Sequence, residues 1–113
     1  MSESQFTRHL LKALRSHVAL RDAVIWKLND RTTRGIPDVL ISLRGVTTFF
    51  ELKCWPNDTT KIQKYFLNRL SPRAYIVTRL LSGQIIFHAF AGSATAYEFN
   101  EAVEEIVQRC INA

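Results

Sequence analysis

The chain has 113 residues, 47% hydrophobic and 11% aromatic, with only four Gly and three Pro, which is the size and composition of one packed domain and excludes both a multidomain assembly and a disordered segment. Its formal charge of +5 favours a polyanionic partner. No apolar run approaches the roughly 20 residues of a membrane span, and the opening MSESQFTRHLLKALR is amphipathic without a signal peptide's apolar stretch, so a soluble, cytoplasmic protein with no membrane partner is expected.

Phe6, Leu10, Leu14 and Val18 recur at helical spacing and predict a first helix over about residues 3–17. Val24, Ile25, Trp26 and Leu28 form a short β-prone run closed by Asn29-Asp30. The polar basic loop DRTTRG follows, and Pro37 sets the start of a strand. Strands at Val39–Leu43 and Val46–Leu52 flank Arg44-Gly45, a two-residue hairpin turn with Gly supplying a positive φ. A helix capped from Asn57–Thr60 should bury Ile62, Phe66 and Leu70 and stop at Pro72. Strands at Ala74–Thr78 and Gln84–Phe90 turn at Ser82-Gly83, and a helix from about Ala96 to Ile111 buries Phe99, Val103, Ile106 and Cys110. The expected fold is α/β in the order α-β-β-β-α-β-β-α.

Charge is unevenly spread: residues 1–79 carry +8, residues 80–113 carry −3. The basic two thirds also hold the unusual spacings. With a two-residue turn at Arg44-Gly45, facing residues have numbers that add to 89, which sets Asp38 opposite Glu51. Cross-strand partners lie about 4.5–5.5 Å apart at Cβ, and two carboxylates that close repel unless a cation or a shared proton lies between them. Oxygen ligands at that spacing suit Mg²⁺. Alternation along the strand puts Lys53 on the same face as Glu51. The alternative is a loop-ending aspartate beside a solvated strand edge.

The stretch Gly35-Ile36-Pro37-Asp38, with Glu51-Leu52-Lys53 beginning thirteen positions after the aspartate and a helix bearing Gln63 beyond it, resembles the PD-(D/E)xK nuclease superfamily. Its GxPD form with a following helical Gln is most similar to stand-alone VRR-NUC domains of viral and bacterial replication and repair proteins. The motifs span residues 34–70; with the first helix and flanking strands the resemblance covers residues 1–113 as one domain. It implies a restriction-endonuclease-like mixed sheet flanked by helices and a Mg²⁺-dependent DNA endonuclease, with Mn²⁺ as a substitute. It further implies that Asp38, Glu51 and the Leu52 carbonyl hold the metal. Lys53 would activate the attacking water and stabilise charge on the phosphate, Gln63 would orient that water, and Glu3, similar to the first-helix acid of related junction resolvases, would reach the metal through water. Members like it are homodimers that resolve Holliday or other branched DNA junctions, in the bacterial host cell if virus-encoded.

Arg31, Arg34, Lys61 and Lys64 flank the expected site and could hold phosphate without reading sequence, whereas Arg8, Lys12 and Arg15 read as the exposed side of the first helix. Trp55 either stacks on a displaced base or packs under its loop. The three His residues and Cys54 and Cys110 have neither zinc spacing nor a triad partner. No GxxxxGK[ST] or GxGxxG occurs, so no nucleotide cofactor is expected. The uncharged stretch 85–97 is a candidate dimer surface. Two other readings stay open: a nuclease for flaps, nicks or ends, and a non-catalytic nucleic-acid-binding module. RNA also remains a possible substrate.

Overall fold

The computed structural model describes residues 1–28, 35–89 and 94–112. In chain order the elements are α1 (Glu3–Arg15), a 3-10 turn (Val18–Leu20), β1 (Val24–Lys27), β2 (Val39–Leu43), β3 (Val46–Cys54), α2 (Lys61–Leu70), β4 (Ala74–Arg79), β5 (Ile85–Ala89), β6 (Ala94–Tyr97) and α3 (Phe99–Ile111). Six strands form one mixed sheet in the order β1-β2-β3-β4-β5-β6. Every pairing is antiparallel except β3 with β4, the pair joined through α2, because a parallel return needs a crossover long enough to reverse the chain.

Local chemistry starts each helix. Ser2 and Gln5 form a capping box at α1 and Thr60 and Gln63 another at α2, each satisfying backbone N–H groups that the first turn leaves without partners. At α3 the Glu98 N–H donates to Glu101 Oε1 at 2.9 Å.

Alternation along the strands sorts the side chains onto two faces. Phe50, Leu52, Tyr75, Val77 and Phe87 join Phe6, Leu10, Leu14, Val103 and Ile106 in the main core, so α1 and α3 cover one face. The opposite face holds a smaller cluster of Leu67, Ala74 and Ile76 with Phe49 and Leu70 packed against it, under α2. Between those two coverings β3 is buried along most of its length.

Four expectations need correction. The chain adds β6 between β5 and the last helix, so the order gains a strand and α3 begins at Phe99 instead of near Ala96; Ala94–Tyr97 is small and short, and it pairs with β5 as an exposed edge. Ile62 is 45% exposed, and Leu67 is the fully buried residue of α2. Gly35 lies close to the backbone of the first turn of α2. Within the candidate dimer surface, Ile85 and Phe87 are core residues, while Phe90–Ser93 lie outside the described residues. Finally, β3 runs on to Cys54, past the expected end at Leu52. No helix among the described residues is long and apolar enough to cross a membrane.

Candidate active site

The geometry of the site rests on the β2–β3 register. Val39 faces Phe50, Ile41 faces Thr48 and Leu43 faces Val46, the pairing a two-residue turn requires. Arg44 and Gly45 both have positive φ, 51° and 82°, as a type I′ turn demands of its two central residues. Extending the ladder one step beyond Val39 sets Asp38 opposite Glu51, on the face shared with α2.

The ladder stops there for a reason visible in the sequence. The Phe49 N–H donates to the Arg73 carbonyl and the Trp55 N–H to the Arg79 carbonyl, both at 2.8 Å, so odd-numbered residues of β3 direct their backbone groups to β4. Even-numbered ones direct theirs to β2. Leu52 would therefore face Pro37, whose ring nitrogen has no hydrogen to donate. The Asp38 carboxylate fills half of the gap, with Oδ2 accepting from the Leu52 N–H at 2.8 Å. The Leu52 carbonyl is left with no ladder donor from Pro37, beside the two carboxylates.

Glu51 is 1% exposed, and its Oε2 has no hydrogen-bond partner among the described residues. Burial, then the hydrogen bond and charge of the adjoining Asp38 carboxyl, and least of all the Glu3 charge together raise its carboxyl to about 9, with Lys53 partly offsetting them. A buried acceptor left without a donor is costly, and like charge at this range makes it more so. Lys53, 9% exposed, supplies one compensating charge on the same face. Two converging carboxylates with an orphaned oxygen and a carbonyl at a proline-broken ladder form a donor set that suits a hard divalent cation. Among the described residues no group of three or more His, Cys, Asp and Glu is arranged for a metal, so an ion here would complete its shell with backbone and solvent oxygen.

Glu3 lies in the first turn of α1. Its Oε2 accepts from Asn57 Nδ2 at 3.0 Å, which ties the loop after β3 to the first helix, and its charge, after burial, raises the Cys54 thiol. Glu3 thus borders the site without joining the carboxylate pair. Gln63 spends its Oε1 on the Thr60 N–H at 2.8 Å, so the carbonyl end of that amide caps α2. Lys61 and Lys64 are exposed on α2. Arg31 and Arg34 lie outside the described residues.

The sequence motif includes Gly35 but assigns it no role. Gly35 has φ +83°, and a Cβ there would stand 2.9 Å from the Ile62 backbone, so the segment leading to Asp38 and the start of α2 touch at this glycine. Asn57, expected among the residues capping the second helix, instead holds Glu3, and Thr60 is the cap; nothing in a polar loop distinguishes that contact beforehand. No family profile matches the chain, and no curated protein matches it.

Proposed function

We propose that this chain is a divalent-metal-dependent DNA endonuclease of the PD-(D/E)xK type, with a restriction-endonuclease-like fold and closest in pattern to VRR-NUC domains. The observation that carries the reading is the convergence of Asp38 with the orphaned Oε2 of Glu51, beside Lys53, in the register that the sequence pattern requires. Asp38, Glu51 and the Leu52 carbonyl are the groups that would hold Mg²⁺ or Mn²⁺. Such an ion, when bound, supplies Lewis acidity to the scissile phosphate and makes water acidic enough to attack near neutral pH.

The chain's own residues supply the rest. Lys53 is held by burial on the carboxylate face, where its ammonium can orient the nucleophilic water and stabilise negative charge growing on the phosphate. Gln63 at the start of α2 keeps its amide nitrogen as a donor towards that water, and Glu3 offers a further acceptor at the rim. The chain's net charge of +5 and Lys61 and Lys64 on α2 attract the backbone of the substrate without reading bases. The substrate we infer is a Holliday or other branched DNA junction, cut by a homodimer because two symmetric incisions need two sites.

The test is cleavage of an end-labelled four-way junction, a flap and a matched linear duplex in Mg²⁺, Mn²⁺ and EDTA, with Lys53→Ala beside the wild type. Paired symmetric nicks in the junction that vanish in EDTA and in Lys53→Ala are expected. Equal rates on all three substrates would overturn junction selectivity, and tight binding without cuts in either metal would leave a nucleic-acid-binding module.

A further inference from the structure

The face of β3 that bears Glu51 and Lys53 continues past the end of the strand to Trp55. Backbone alternation holds that far, since the Trp55 N–H still donates to the Arg79 carbonyl at 2.8 Å, and two residues of parallel strand advance about 6.6 Å. Trp55 is 56% exposed, which leaves ring surface open to a ligand. It forms one wall of a groove of about 200 Å³ completed by Asn57, Asp58, Thr78, Leu80 and Ile86. Thr78 is also the residue across from Lys53 in the β3–β4 register, so the groove adjoins the strand position that carries Lys53.

We propose that this groove stacks one unpaired nucleobase against Trp55, the base belonging to the nucleotide next to the phosphate at Lys53. The proposal rests on the nuclease reading for the position of that phosphate. The groove is smaller than the roughly 300–1,000 Å³ of a drug-sized pocket and has room for one planar group. Leu80 and Ile86 in its lining are suited to a ring face. Stacking of that kind is tolerant of sequence, and it would favour branched or frayed DNA, where a base is available unpaired, over continuous duplex.

The chain has two tryptophans, so Trp26→Phe leaves Trp55 as the sole indole. Its emission is followed in EDTA during titration with oligothymidylate, with a duplex carrying a short single-stranded overhang, and with a blunt duplex. Binding is measured in parallel for Trp55→Ala and Trp55→Phe. Quenching by the two DNAs with unpaired bases is expected. Trp55→Ala should weaken overhang binding about tenfold, the scale of one base–aromatic stack, with little change on blunt duplex and substantial recovery in Trp55→Phe. Unchanged emission at saturating DNA, or equal weakening on blunt and overhang DNA, would overturn the proposal. So would emission that follows protein concentration alone, which marks contact between two copies. Metal-dependent cleavage by the wild type is scored separately: cuts without quenching remove the groove and keep the nuclease, and quenching without cuts does the reverse.

Discussion

Glu51 is the residue on which the energetics of the site turn. Its ordinary value of 4.5 rises to about 9 in the fold, with burial as the leading cause. Below pH 4.5 the carboxyl is neutral folded or unfolded, and its burial costs least. Between pH 4.5 and 9 the unfolded chain releases the proton while the folded chain keeps it, so stability falls as pH rises, by at most about 1.4 kcal/mol per pH unit. Urea denaturation of the metal-free protein at pH 5, 7 and 8.5 should show that decline. Glu51→Gln should flatten it and stabilise the protein at pH 8.5 by about 1–3 kcal/mol, because a buried group that cannot ionise replaces one that is pressed to. An equal slope in both proteins would contradict this account of the buried acid.

Among the elements, the hairpin and α2 decide whether the site exists. Gly35→Ala meets both a positive φ of 83° and backbone atoms at 2.9 Å, neither of which can yield like a flexible side chain. A loss of about 1–3 kcal/mol is expected in chemical denaturation. A neutral result would show that α2 does not seat on this segment. On α2 itself, Lys61→Ala with Lys64→Ala should weaken DNA binding at low salt and reduce the slope of log K against log salt by about 2, roughly one for each phosphate contact removed. An unchanged slope would place the DNA elsewhere.

The hairpin was legible in the sequence because a two-residue turn at Arg44-Gly45 leaves one register that keeps Val39, Ile41 and Leu43 on the core face. The Asp38–Glu51 juxtaposition followed from it. The buried face of α2 was not legible. Ile62, Phe66 and Leu70 satisfy helical spacing, but among the described residues the sheet surface below offers apolar contact at Phe49, Ala74 and Ile76, against which Leu67 is buried. Strand β6 was missed for a different reason. Ala94-Thr95-Ala96 has too little hydrophobic contrast to signal a strand, and its pairing is supplied by β5 through backbone hydrogen bonds that composition does not reveal.

At the scale of the whole molecule, charge is divided along the chain. The acidic C-terminal third supplies α3, which closes the main core, while the basic part of the chain holds the carboxylate pair and α2. On the proposed reading, that asymmetry draws a polyanionic substrate to the region with the site. The cost of the arrangement is a buried carboxyl whose Oε2 has no donor among the described residues, and on the proposed reading a divalent cation offsets it. The most direct measurement is calorimetric titration of the wild type, Asp38→Asn and Glu51→Gln with Mn²⁺ at pH 7.5, without nucleic acid. The wild type should bind with a saturable isotherm and gain about 2.7 kcal/mol of stability at a hundred times its Kd, and both variants should lose the isotherm and the gain. No saturable binding by the wild type, or binding that both variants retain, would contradict the assignment of Asp38 and Glu51 as the metal site.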